Sequence, residues 1–261
     1  MRLDVYLHAT GLADSRERAK RLVQGGAVTV NGAVVTKPAT EIVGTPEIAV
    51  RGERYVSRGG EKLEAALTLF GVAVKDKRAL DIGASTGGFT DCLLQHGAAA
   101  VLALDTGHSQ LHPSLRADSR VTNLEKYNAR TLSSADVGVS DVVVMDVSFI
   151  SATYILPQIP AVLAEDGRFV LLIKPQFEAG RAALNKQGIV KDVRDRVLAV
   201  RRVLDAAAAV GLRCVGLAPS PILGGDGNEE YIACFCKAGE GVDNRHLPFE
   251  KTVTHKVVIQ E

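Results

Sequence analysis

Leu80-Asp81-Ile82-Gly83-Ala84-Ser85-Thr86-Gly87-Gly88-Phe89 is the stretch on which the fold turns. A β-rich apolar run, Arg78–Ile82, leads into it, and a helix-compatible stretch near 88–96 follows. Glycines at a strand-to-helix turn let the backbone bend tightly and approach a ligand closely. The spacing is not G-x-G-x-x-G, because Ser85 stands where the second glycine would be. That weighs against a pyrophosphate held on the backbone, and so against a nicotinamide-dependent dehydrogenase. Asp105 closes the next apolar run, Val101-Leu-Ala-Leu-Asp105. An acid there can hold a ribose by its hydroxyls; capping a helix is the other use of such a residue.

Outward from this loop the same alternation continues. Short apolar runs recur at Arg78–Ile82, Ala100–Leu104, Arg120–Asn123, Asp141–Met145, Arg168–Ile173, Arg213–Leu217 and Tyr231–Phe235. Helical stretches near 88–96, 149–164 and 191–210 separate most of them. Strands alternating with helices predict βαβ units and a mostly parallel, doubly wound α/β sheet. The last two runs are joined through Pro219–Asn228 with no helix between, which predicts an antiparallel pair at the sheet edge. Residues 59–71 read as a helix ahead of the first strand, 51–58 as a linker, and Thr252–Ile259 as a further strand.

The first 58 residues differ in charge and pattern. The whole chain of 261 residues has a net charge of +1, from 31 Lys+Arg and 30 Asp+Glu. Residues 1–58 hold nine cations and six acids, net +3, leaving −2 for the rest. Arg16, Arg18, Lys20 and Arg21 fall within six residues, opposed by Glu17 alone. Asp14 or Ser15 can cap a helix there. Ala19, Leu22 and Val23 at helical spacing put the cations on its exposed side. Ala27-Val-Thr-Val-Asn31-Gly32-Ala-Val-Val-Thr36 is a hairpin signal.

Several classes drop out. No apolar run reaches the ~18–20 residues a membrane helix needs. The start turns polar within a dozen residues and has no signal core, so the expectation is a cytoplasmic protein. Cys92, Cys214, Cys234 and Cys236 have no zinc spacing and read as buried reduced thiols. No metal is expected.

Four polar residues stand at strand ends or helix starts: Lys62 in Ser57-Arg58-Gly59-Gly60-Glu61-Lys62, Asp146 after Val142-Val-Val-Met, Lys174 after Phe169-Val-Leu-Leu-Ile, and Glu230 in Gly227-Asn228-Glu229-Glu230-Tyr231. Strand ends of an open α/β sheet form the ligand crevice. Snorkelling to the surface is the alternative for Lys174.

Three resemblances attach to these residues. Arg2-Leu3-Asp4…Leu7…Gly11-Leu12…Ser15-Arg16…Ala19…Leu22-Val23…Gly26…Val28…Val30-Asn31-Gly32 resembles the RNA-binding domain named after small-subunit ribosomal protein four. It implies a small α+β domain, 1–50, docking on structured RNA through Arg2, Arg16, Arg18, Lys20 and Arg21, with Arg58 in the linker adding to the RNA contact. The loop resembles the S-adenosylmethionine site of class I methyltransferases of the FtsJ type, matching at Asp81, Gly83, Gly87, Gly88 and Phe89. Carried over, Gly83–Gly88, with Ala84 and Ser85 among them, face the methionine end, Asp105 the ribose and Asn128 the adenine. Asp81, Phe89 and Asp146 complete the implied cofactor set. The order Lys62, Asp146, Lys174, Glu230 resembles the catalytic tetrad of the same 2′-O-ribose methyltransferases. In that scheme Lys174 is the base and Lys62 supplies a neighbouring positive charge that favours its neutral amine. Asp146 and Glu230 orient the lysines and the hydroxyl.

The combined pattern, with Asp146-Val-Ser148-Phe149-Ile150-Ser151 and Lys174-Pro175-Gln176-Phe177-Glu178, resembles the TlyA group, also labelled haemolysin. It implies a Rossmann-like methyltransferase domain over 59–261. The implied substrate is the ribose of a cytidine in 23S rRNA, with 16S rRNA as a second target, within ribosomal subunits. The start at Arg2-Leu3-Asp4 points to the large-subunit type. A monomer or weak dimer is expected. Phe149 or Phe177 can stack on a flipped base or pack in the core. A catalytically dead RNA-binding assembly factor and a membrane-active haemolysin are the rival functions. The intact tetrad opposes the first, and the lack of a long amphipathic basic helix opposes the second.

Overall fold

A computed structural model of the chain describes residues 1–13, 15–50, 52, 54–224, 227–237 and 249–254. They divide into two compact units, Met1–Arg54 and Tyr55–Glu261. The division falls inside the stretch 51–58, and Tyr55 is buried in the second unit's core.

The first unit contains α1 (Leu3–Ala9), α2 (Arg16–Gln24), β1 (Val28–Val30), β2 (Ala33–Val34) and β3 (Ile48–Val50). Ser15 caps α2, its Oγ accepting from the Arg18 N–H at 3.1 Å; Asp14 lies outside the described residues. Leu3, Leu7, Ala19, Leu22, Val23 and Val28 form its core. The Asn-Gly hairpin is present: β1 pairs antiparallel with β2. Asn31 and Gly32 both have positive φ, as a type I′ turn requires. β1 also pairs with β3, a strand too short to carry a pattern of its own.

The second unit runs α3 (Gly59–Leu69), β4 (Arg78–Ile82), α4 (Gly88–Gln95), β5 (Ala100–Leu104), α5 (Pro113–Arg116), β6 (Val121–Leu124), α6 (Ser134–Val137), β7 (Ser140–Met145), α7 (Ile159–Val162), β8 (Leu163–Ile173), α8 (Pro175–Glu178), α9 (Val193–Ala209), β9 (Arg213–Pro219), β10 (Tyr231–Cys236) and α10 (Glu250–Thr254). Its seven strands lie in the order β6-β5-β4-β7-β8-β10-β9. β4 to β8 are parallel; β10 is antiparallel to both β8 and β9. Strand residues alternate between two cores: Leu80, Val143, Leu171 and Ala233 face one side with α9, while Ala79, Val144, Leu172 and Ile232 face the other with α3 and α4. The four cysteines are buried thiols, and burial pushes those of Cys214 and Cys234 up to about 12.

Two expected elements differ. The helix expected over 149–164 is instead two short 3₁₀ turns and the four-residue α7. Pro157 and Pro160 remove the donors and crowd the carbonyls that a continuous helix would need. The strand expected from Thr252 is helical in its described part, since Thr252 to Thr254 belong to α10; residues 255–259 lie outside the described residues. Strand order reverses between β4 and β7, so a crevice opens at their carboxyl ends.

Candidate active site

β4 and β7 pair in parallel up to Ile82 and Met145. The residues just beyond, Gly83 and Asp146, therefore meet at the crevice. Gly83 has φ +86°, and a Cβ there would sit 2.5 Å from the Asp146 carbonyl oxygen. Only glycine fits that approach. The Gly83 and Ala84 N–H groups both donate to the Leu104 carbonyl. Ser85 adopts φ +49°, so a serine takes the left-handed turn. Its N–H donates to Asp105 Oδ2 at 2.8 Å, and the Gly107 N–H donates to Asp105 Oδ1 at 2.7 Å. Asp105 thus fastens the loop, and each carboxylate oxygen keeps acceptor capacity for a hydroxyl.

A cavity of about 490 Å³ opens over this loop. Gly83, Ser85, Asp105, Asn128 and Asp146 line it, with Gln110, Ser148, Phe149 and Ile150. Its volume suits a nucleoside-sized cofactor. Asn128 does two jobs: it lines the cavity, and its Oδ1 accepts from the Arg130 N–H to cap the turn Ala129–Thr131. Tyr127 beside it gives its hydroxyl to Asp136 at 2.7 Å.

The other residues carried over as cofactor contacts lie behind the loop instead. Ala84 and Phe89 are buried in the α3–α4 core. A Cβ on Gly87 would strike Leu115, and one on Gly88 would strike Ser57 Oγ and the Gly60 backbone. These glycines serve close packing of α3, α4 and α5, which accounts for Ser57-Arg58-Gly59-Gly60 as well. Asp81 points inward, where Thr90 Oγ1 donates to its Oδ2 at 2.6 Å and Oδ1 has no hydrogen-bond partner.

Burial, with the Asp146 and Asp105 charges adding to it, holds the Asp81 carboxyl up at about 7, against its ordinary 3.8. A carboxyl that binds its proton more tightly when folded stabilises the fold below its unfolded value. That contribution is lost as pH rises towards the folded value. The interval from 3.8 to about 7 sets an upper limit on the order of 4 kcal/mol. Urea unfolding measured across pH 4 to 8 is expected to show stability falling over this window. Asp81→Asn should flatten that fall; an unchanged slope would contradict the assignment.

The four polar residues form two ion pairs. Lys62 Nζ lies 2.5 Å from Glu230 Oε2, with both residues buried. Lys174 Nζ lies 2.6 Å from Asp146 Oδ1 and donates to Ser148 Oγ at 2.8 Å. Each lysine thus stands against one of the two carboxylates expected to orient them, Lys62 against Glu230 and Lys174 against Asp146. Gln176 Nε2 donates to Glu230 Oε1 at 3.1 Å. A second cavity, about 990 Å³, is lined by Lys174, Glu230, Gln176, Phe177, Arg181 and Arg202 among others. The two cavities share Ser148, Phe149 and Ile150. Asp146 lines the first and Lys174 the second, so their ion pair spans the boundary. Ser148 and Gln176 were not singled out from sequence. Each stands two residues past a tetrad member, Asp146 and Lys174, and that position was the available signal. Phe149 is 92% exposed, and its ring centroid lies 5.3 Å from that of Phe177. It is not a core aromatic.

In the first unit the cations are not equally presented. Arg16 and Arg21 are exposed; Arg18 and Lys20 are half-buried. Lys20 pairs with Glu17 at 2.7 Å. Arg2 makes a two-point contact with the buried Asp4, at 2.9 and 3.0 Å, and Arg16 approaches the same carboxylate at 3.6 Å. Hydrogen bonds from Arg2 hold the Asp4 carboxyl below its ordinary value. Arg58, exposed, precedes α3 in the second unit. Among the described residues no helix is long and apolar enough to cross a membrane, and no group of three or more His, Cys, Asp or Glu is placed to hold a metal ion.

A seven-stranded sheet with its penultimate strand antiparallel, a cavity at the β4–β7 crevice and an acid on the neighbouring strand end define a Rossmann-like methyltransferase fold. The chain belongs to the FtsJ-like methyltransferase family, which it matches over residues 55–237, and residues 1–44 match the S4 domain. It is 47% identical over 242 residues to Hemolysin A of Brachyspira hyodysenteriae, covering 90% of this chain and 99% of that one. It is 44% identical over 235 residues to the 16S/23S rRNA (cytidine-2′-O)-methyltransferase TlyA of Mycobacterium tuberculosis, covering 88% of each. A solved structure from Streptococcus thermophilus, provisionally named a hemolysin, superposes with a TM-score of 0.75 at 42% identity, covering 97% of this chain and 94% of that one.

Proposed function

We propose that this chain transfers a methyl group from S-adenosylmethionine to the ribose 2′-hydroxyl of a cytidine in ribosomal RNA, within a ribosomal subunit in the cytoplasm. The observation that carries this reading is the Lys174–Asp146 pair, set where a cofactor-sized cavity meets a larger one. In this reading residues 1–50 dock on RNA, 51–58 link, and 59–261 bind the cofactor and do the chemistry. The 23S rRNA is the first target to test, with 16S rRNA second.

The cavity over the glycine loop fits the cofactor in size and donor set. Asp105 would hold the ribose hydroxyls, Asn128 would border the adenine, and Gly83 and Ser85 would line the methionine end. When bound, S-adenosylmethionine supplies an electrophilic methyl on a positively charged sulfonium. A ribose hydroxyl is a poor nucleophile until its proton leaves. Lys174 Nζ, set where the two cavities meet, is the group placed to take that proton. Asp146 and Ser148 aim the amine, so alignment contributes much of the rate. Glu230, held by Lys62 and Gln176, borders the larger cavity and orients the ribose. The exposed Phe149 offers a face for the base of the target nucleotide.

The deciding assay incubates the chain with unmethylated ribosomal subunits and labelled S-adenosylmethionine, then maps methyls by resistance to alkaline hydrolysis. A protected cytidine position is expected. Base methylation, or no transfer to either subunit despite cofactor binding, would overturn the reading. Arg16→Ala with Arg18→Ala is expected to weaken RNA binding and flatten its salt dependence by up to about two phosphate contacts. An unaltered salt slope in filter binding would remove α2 from the interface.

A further inference from the structure

Glu178 ends α8 and is buried, yet the catalytic scheme gives it no task. Burial raises its carboxyl above the ordinary value. Both its oxygens face the loop that follows β7. Oε1 accepts from the Ala152 N–H at 2.7 Å, and Oε2 accepts from Ser151 Oγ at 2.5 Å. Arg202 donates to the Glu178 carbonyl, so the end of α8 is itself held. A buried carboxylate persists where its hydrogen bonds are made, and these go to a loop.

That loop carries an unusual residue. Phe149 sits at φ +65° with its ring outside the core. A bulky side chain in the left-handed region is strained, so the surroundings must over-determine it. Two anchors do so, one on each side. Lys174 holds Ser148 before it, and Glu178 holds Ser151 and Ala152 after it. Both anchors come from the five residues Lys174–Glu178, whose Phe177 supports the Phe149 ring.

We propose that Glu178 is a positioning residue: by pinning Ser151 and Ala152 it holds the Phe149 ring outward at the boundary of the two cavities, against the target base. This rests on the methyltransferase reading above, which supplies the base that the ring's exposed face would meet. The short stretch after Lys174 thereby couples the proton-accepting amine to the base-contacting loop.

The chain has no tryptophan, so Phe149→Trp installs a single reporter. Its nanosecond anisotropy is compared in the Phe149→Trp chain alone and combined with Glu178→Ala, Glu178→Gln or Ser151→Ala. Loss of the anchor is expected to about double the amplitude of fast ring motion, with Glu178→Gln in between because its amide oxygen can still accept from Ala152. Ser151→Ala and Glu178→Gln keep the test open should Glu178→Ala fail to fold. On ribosomal subunits, Glu178→Ala is expected to lower kcat/KM roughly tenfold with cofactor affinity unchanged. Adding it to Phe149→Ala should cost nothing further, since one residue acts through the other. Unchanged anisotropy in all three combinations, or losses that multiply in the double variant, would overturn the proposal. Absence of transfer by the unaltered chain overturns the methyltransferase reading instead, and the anisotropy alone then decides the anchor.

Discussion

Lys174→Ala should lower methyl transfer by about 10³-fold while cofactor affinity stays within about twofold, the loss general-base removal produces. The backbone at Lys174 is held by the five buried residues Phe169–Ile173 before it and by Pro175 after it. Truncation therefore removes the amine without moving the strand. The cavity over the glycine loop is built from the ends of β4, β5 and β7, whereas Lys174 lines the larger cavity beside it. Single-turnover transfer and calorimetric titration of the cofactor separate the two effects. Lys174→Arg sharpens the test. A guanidinium keeps the charge beside Asp146 but has no neutral form near neutral pH. If Lys174 serves as base, Lys174→Arg stays as inactive as alanine. Recovery of more than roughly a tenth of the activity would reduce Lys174 to an electrostatic partner.

Glu230→Ala should destabilise the second unit by about 3–5 kcal/mol, the cost of leaving a buried charge without its partner. Lys62 and Glu230 are 8% and 4% exposed, so water compensates neither. Gln176 loses its acceptor in the same step. Adding Lys62→Met should recover most of that stability, because an apolar pair in a buried ion pair's place is near neutral or better. The double variant is expected to fold and remain inactive. Denaturant midpoints followed by circular dichroism, with transfer assayed alongside, show both. A midpoint unchanged in Glu230→Ala would mean that Lys62 reaches solvent.

The second pair also shows where local pattern stops short. Lys62 and Glu230 are 168 positions apart and stand on α3 and at the start of β10. Their types and order were legible, and so was the order of Asp146 and Lys174. Which lysine takes which carboxylate was not. Pairing depends on β10 running antiparallel beside β8, which brings Glu230 near the Lys174 end of that strand and under α3. The two lysines each stand with one carboxylate. Phe149 is the other case. Its aromatic character suits core and stacking equally, and only the positive φ imposed by anchors on either side turns the ring outward.

The glycine loop is legible in sequence as a turn, but which of its residues face the cavity is not. Gly83 approaches the neighbouring strand end at the cavity, whereas Gly87 and Gly88 serve helix packing, and Asp81 is buried behind them. All are glycine-or-acid positions in one motif. Contacts from α3 and α5, distant in the chain, sort them into lining and support.

By itself the sequence determined the strand-and-helix alternation, the small basic leading unit, the Asn-Gly hairpin and the polar residues Lys62, Asp146, Lys174 and Glu230 at helix start and strand ends. These follow from side-chain period, turn chemistry and strand-end position, all properties of neighbouring residues. Tertiary structure decided which charges neutralise each other, which loop residues see the cavity, and that Phe149 stands free of the core. Those outcomes depend on distances between segments far apart in the chain, and a buried charge or a strained φ persists only where such segments meet to hold it.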